Sequence, residues 1–226
     1  MIQDLASLLW VINLGCIDLN QWYARCDDVD RPDYVHFDLD PGYATFDRVR
    51  ECAAILRDSL ETLGMKPLVK TSGSKGLHVY VPIVRGPTQK EVWTFAKALA
   101  LELASRHPPL MTSEYRVAKR AKGRVLLDYN QNRWGSTLAS IYSVRPTPLA
   151  TVSTPVTWKE VAQGTRIEDF RLDNLRARIA SCGDLWKPLL AARGRTDLRK
   201  FLPGAAVRAE AHAGAPRRER KRQRGS

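Results

Sequence analysis

The sequence predicts an α/β (α+β) fold: a mixed, largely antiparallel sheet with flanking helices. Three observations carry this. Short apolar strings that end in charge, such as Tyr34–Asp40 and Val125–Asp128, read as buried strands. Two long stretches, opening at Thr45 and Thr88, repeat apolar residues at helical spacing. The glycine-rich turn Ser72–Gly76 joins two strand-like strings directly, which makes an antiparallel hairpin.

Taken in order, residues 4–14 read as a helix capped by Asp4 and stopped by Gly15. Residues 16–23 alternate enough for a strand, and residues 27–33 form a polar turn around Pro32. A strand over 34–40 ends at Pro41-Gly42. Thr45 caps a helix to about Leu63 with Phe46, Val49, Ala53, Leu56 and Leu60 on one face. Strands follow over 68–71 and 77–84, then a helix from Thr88 to about Ser105. Residues 124–129 and 139–144 are strands separated by a polar loop. Thr157-x-x-Glu160 is a capping box. Short helices are expected over 174–180 and 185–192.

At 226 residues the chain is long enough for one sizeable core. Lys and Arg outnumber Asp and Glu by 36 to 24, a net charge of +12 that suits a polyanionic partner, usually nucleic acid. Residues 204–226 hold seven Arg/Lys against two Glu, so under half the excess sits there and the rest of the chain is itself basic. This divides the chain into a folded domain, 1–203, and a basic tail, 204–226, expected to be disordered. Cys16, Cys26, Cys52 and Cys182 show no Cys-x-x-Cys spacing and no clustered His, which argues against zinc and for free thiols. No stretch reads as a signal peptide or a membrane span, so the expected location is cytoplasmic and nucleoid-associated.

Three strings carry the chemistry. In His36-Phe37-Asp38-Leu39-Asp40-Pro41 the two acids alternate with Phe37 and Leu39, so one strand face is core and the other acidic. Paired carboxylates repel unless a proton or cation sits between them. Asp128 ends a second apolar string and supplies a third carboxylate, a set suited to a divalent metal. Between them, Ser72-Gly73-Ser74-Lys75-Gly76-Leu77-His78 suggests a phosphate cradle: glycines that bare backbone N–H groups, a Ser72 hydroxyl, a Lys75 charge and a His78 facing the same cleft. The alternative is a plain hairpin with a surface lysine. Arg145, ending Ser143-Val144-Arg145, is either a triphosphate ligand or the partner of a carboxylate. Metal, phosphate and a basic chain point to nucleotidyl transfer. An Asp-x-Asp transferase using a nucleotide sugar is a weaker reading, because no other sugar-site cue is present and the charge is strongly positive.

In order and spacing, these strings, with Asp128-Tyr129-Asn130-Gln131-Asn132, Ser143-Val144-Arg145-Pro146 and Thr154-Pro155-Val156-Thr157-Trp158, resemble the polymerase domain of bacterial DNA ligase D, of the archaeo-eukaryotic primase superfamily. The resemblance covers about residues 4–202. It implies a primase-polymerase-like catalytic core that adds ribo- or deoxyribonucleotides to primer ends or gaps in DNA during non-homologous end joining. It implies two Mn2+ or Mg2+ ions held by Asp38, Asp40 and Asp128 as catalytic and metal residues. It assigns Ser72, Lys75, His78, Gln131 and Arg145 to the NTP or dNTP, and names a DNA ligase and Ku as partners. Three departures accompany it. The family carries a longer region ahead of the first matched helix, so the chain is expected to be truncated relative to the family. Asn20-Gln21-Trp22 stands where His-Pro-Trp is common, and Ala121, between Arg120 and Lys122, where an Arg is common. These leave a second expectation, an impaired module of the same family that binds DNA ends, ligase or Ku.

Overall fold

A computed structural model describes residues 2–191 and 193–202. The elements run α1 (Leu5–Asn13), β1 (Asn20–Gln21), β2 (Tyr34–Asp40), α2 (Phe46–Thr62), β3 (Leu68–Thr71), β4 (Leu77–Pro82), α3 (Gln89–Arg106), β5 (Met111–Thr112), β6 (Val125–Asp128), β7 (Leu138–Ala139), β8 (Pro155–Val156), α4 (Trp158–Ala162), α5 (Leu175–Cys182) and α6 (Lys187–Leu190). The main sheet has the order β5-β6-β2-β4-β3-β8, and β1 pairs with β7 in a separate ribbon. Only β5 and β6 run parallel within it; the other neighbours are antiparallel. The expected mixed α+β architecture is present, with helices against the sheet.

Alternation along β2 separates two faces. Val35, Phe37 and Leu39 are fully buried and pack with Val69, Leu77, Val79 and Val81 against Val49, Cys52, Leu56 and Leu60 of α2 and Val92, Ala96 and Leu103 of α3. This is the main core. The opposite face carries Tyr34 and Tyr80, covered by Tyr23, Leu138, Trp186 and Leu189. It also carries the polar residues of the candidate site.

Local chemistry fixes the helix starts. The Asp4 carboxylate accepts the Ser7 N–H at 2.7 Å. In α3 and α4 the capping boxes close: the Thr88 and Thr157 hydroxyls accept from Glu91 and Glu160 N–H, and those glutamates accept in return. Yet α1 buries none of its residues, and Leu5, Leu9 and Trp10 stand 58–70% exposed.

Two expected strands are shorter than the sequence suggests. Residues 16–23 contribute only Asn20–Gln21, because Ile17 is exposed and no sheet face receives it. Residues 139–144 contribute only Ala139 to β7, because the chain turns at Ser140 and Tyr142 adopts φ 63°. Strands β5 and β8 went unforeseen; two residues carry no readable period. The expected helix over 185–192 is α6, four residues long. The expected tail, 204–226, lies outside the described residues.

The hairpin turn is locked to β2. A Cβ on Gly76 would lie 2.1 Å from the Leu39 carbonyl oxygen. Backbone cannot yield as a side-chain end can. Gly76→Ala is therefore expected to lower the unfolding free energy by about 1–3 kcal/mol. The exposed neighbour change Lys75→Ala should stay within roughly 0.5 kcal/mol. Urea titration of both variants checks the contrast, and equal effects would remove the close-approach argument.

Candidate active site

One register row crosses four strands of the main sheet. Lys70 on β3 faces His78 on β4, His78 faces Asp38 on β2, and Asp38 faces Asp128 on β6. Directly opposed antiparallel residues hold their Cα atoms about 4.5–5.5 Å apart. Asp40, two residues beyond Asp38, shares its side of the sheet. The sheet thus gathers three carboxylates, a histidine and a lysine on the face away from α2 and α3.

Their electrostatics follow from crowding under partial burial. Burial pushes the Asp38 carboxyl up to about 7, and the charges of Asp128 and Asp40 add to the rise. Lys70 is fully buried, which pulls its amine down to about 7 against the attraction of Asp38. Burial, then Lys70, depresses His78 well below its usual range. Lys70 Nζ lies 2.9 Å from His78 Nδ1 and donates to Ser153 Oγ. On the other side of the ring, Nε2 is 3.5 Å from Asp38 Oδ1.

The other two acids have their own partners. Asp128 accepts from the Tyr115 hydroxyl at 2.8 Å, the Asn130 N–H at 2.7 Å and Gln131 Nε2 at 3.1 Å. Asp40 accepts from the Gly42 N–H at 3.0 Å and from Arg120 at 3.3 Å. Among the described residues no three His, Cys, Asp or Glu side chains form a ready-made metal cage. The acids offer carboxylate oxygens, the donor type that hard divalent cations take, and burial together with the neighbouring carboxylates raises the proton affinity of Asp38.

The turn 72–76 differs from the expected cradle. Ser72 Oγ accepts the N–H groups of Ser74, Lys75 and Gly76 at 3.1, 3.1 and 2.9 Å. The amides converge as expected, but on the turn's own hydroxyl. Gly73 adopts φ +69°, and a Cβ there would meet Ser153 N at 2.6 Å, so close packing as well as turn geometry demands this glycine. Arg145 donates to the Ser72 carbonyl at 3.1 Å and lies 3.2 Å from Asp18, the carboxylate partner that was one of its two expected readings.

A cleft of about 240 Å3 brings most of the expected residues together: Asp38, Asp40, Ser72, Lys75, His78 and Arg145 line it. Asp128 and Gln131 stand beside it without lining it. Lys75 also borders a neighbouring hollow of about 500 Å3 lined by Thr45 and Arg166. Sequence reasoning did not single out Lys70, Tyr115, Asp18 or Ser153. A lysine flanked by Val69 and Thr71 inside a short strand was a readable signal for Lys70. The others come from loops, where no local pattern marks them.

The family described as LigD, primase-polymerase domain matches residues 1–186. The multifunctional non-homologous end joining protein LigD of Mycolicibacterium smegmatis is 33% identical over 186 residues, covering 81% of this chain and 24% of that protein. The protein of the same name in Pseudomonas aeruginosa is 30% identical over 197 residues, 86% of this chain and 23% of its own length. The chain therefore spans about a quarter of these relatives. Among solved structures, the polymerase domain of Mycobacterium tuberculosis ligase D in complex with DNA superposes with a TM-score of 0.73 at 30% identity, covering 81% of this chain and 66% of that one. A family match over most of the chain, relatives at this identity and a shared fold agree: the chain belongs to the LigD primase-polymerase domain family.

Proposed function

We propose that this chain is a metal-dependent nucleotidyltransferase that adds nucleotides to primer ends or gaps in DNA during non-homologous end joining. One observation carries the reading: the carboxylates Asp38 and Asp40 open into the same cleft as the cations Lys75 and Arg145. Acidic and basic side chains lining one cleft suit metal ions beside the acids and a triphosphate beside the cations. Asp38, Asp40 and Asp128 would hold two Mn2+ or Mg2+ ions. When bound, such ions lower the pKa of the attacking hydroxyl and carry charge on the leaving group. Lys75 supplies a point charge to the phosphates, and Arg145 presents a planar fork once it exchanges Asp18 for an anion. Ser72 holds the turn that aims Lys75, and His78 braces Asp38. Gln131 and Tyr115 hold Asp128 in one orientation. The primer 3′-hydroxyl gives up its proton to solvent, its oxygen bonds to the α-phosphorus, and the bond to the bridging oxygen breaks as pyrophosphate leaves.

A second reading is an impaired module of the same family that binds DNA ends, a ligase or Ku. The observation favouring it is that Arg120 and Arg145 already neutralise acids of the site or its rim.

Manganese is expected to raise the melting temperature, since a ligand that binds only the native state stabilises it. The double change Asp38→Ala with Asp40→Ala should abolish that rise; a persisting rise places the ion elsewhere. DNA binding should weaken steeply as salt increases. Deleting residues 204–226 should make the salt slope shallower yet leave binding measurable, because the rest of the chain keeps a net positive charge. Total loss on deletion would assign all binding to the tail. On a gapped primer-template with manganese and ribonucleotides, Lys75→Ala should cut nucleotide addition by about 100-fold, the scale set by losing a positioned phosphate contact. DNA binding without any addition, in wild type as in the variant, would favour the second reading.

A further inference from the structure

Lys70 is the one fully buried charged side chain among the described residues. Placing a lysine there is unfavourable unless its amine has specific partners. It has two. Ser153 Oγ donates its own proton to the Thr71 carbonyl at 3.1 Å, which leaves the oxygen free to accept from Lys70. The second partner is His78 Nδ1 at 2.9 Å. The ring of Tyr80, 5.9 Å away, closes the pocket over the amine. An amine that donates to Nδ1 leaves the imidazole proton only on Nε2. Nε2 is the atom that faces Asp38 Oδ1 at 3.5 Å.

We propose that Lys70 is a positioning residue: its buried amine fixes the His78 ring with the proton on Nε2, and that proton aims the Asp38 carboxylate into the cleft. The inference deepens the metal-dependent reading above and rests on it for the consequence at Asp38. Lys70 touches neither the cleft nor any reacting atom; it acts through His78. Outer partners of this kind typically contribute about 10–100-fold to metal affinity.

The test uses the full chain labelled with 15N-histidine, with the His78 signals assigned by their loss in His78→Gln. Long-range 1H–15N spectra of the wild type should show a neutral His78 with Nε2 protonated and Nδ1 bare. In Lys70→Met, similar in volume but without donors, Nδ1 loses its fixed partner, so the His78 ring 15N signals should shift and broaden as the ring loses its single orientation, and manganese affinity should fall about tenfold or more. Ser153→Ala, which frees one side of Lys70, should give a smaller change in the same direction. Unchanged His78 ring signals and unchanged manganese affinity in Lys70→Met, whatever happens to the melting temperature, would overturn the assignment and leave Lys70 as packing alone. Should Lys70→Met fail to fold, the wild-type spectrum decides: a proton on Nδ1 overturns the proposal, and a bare Nδ1 supports it. Failure of the metal-dependent reading shows itself separately, as a wild-type chain with no manganese affinity, and the tautomer then still upholds or overturns the role of Lys70 at His78.

Discussion

The row Lys70–His78–Asp38–Asp128 is the constraint on which the rest of the structure depends. Four neighbouring strands each place one ionisable group at the same level, on the face away from α2 and α3. Removing charge from water costs several kcal/mol per ion unless partners compensate, so the surroundings of the row are arranged to supply them. Ser153, itself held by the Thr71 carbonyl, serves Lys70, while Tyr115, Asn130 and Gln131 serve Asp128. The apolar face makes the row tolerable. Phe37 and Leu39, with α2 and α3 behind them, bury enough hydrocarbon to hold the strands in a register that a one-residue slip would invert.

The hairpin follows from the same register. Strand β4 brings His78 opposite Asp38 only if the turn before it passes close under β2, and Gly76 permits that approach against the Leu39 carbonyl. The turn then presents Lys75 to the same cleft as the acids. Asp18 and Arg120, both from irregular segments, counterbalance the opposing charges at the rim. Site and scaffold are therefore not separable layers here; the strands that make the core also carry the chemistry.

How much of this was legible in the sequence depends on period. Strands β2 and β3 and the caps at Asp4, Thr45, Thr88 and Thr157 stand where alternation and capping chemistry put them, because each is a local pattern. The acids at 38 and 40 were visible for the same reason, since a two-residue repeat names a face. Strands β1, β5, β7 and β8 hold two residues each and exist through pairing alone, so their bounds were not readable. The reach of Tyr115 to Asp128 and of Asp18 to Arg145 is tertiary. The Ser72 turn was found but its amides were misassigned: convergence was readable, the internal acceptor was not.

Helix α1 has a different consequence. It spans nine residues, is rich in leucine, and buries none of them. Helices of that length are marginal in water when nothing packs against them, and the Asp4 cap contributes only about 1 kcal/mol. Its opening is therefore uncoupled from the cooperative unfolding of the sheet. In amide hydrogen exchange α1 belongs with the segments whose opening free energy is close to zero, and denaturant far below the global midpoint will not alter its rate, while the amides of β2 and β4 report the stability of the whole.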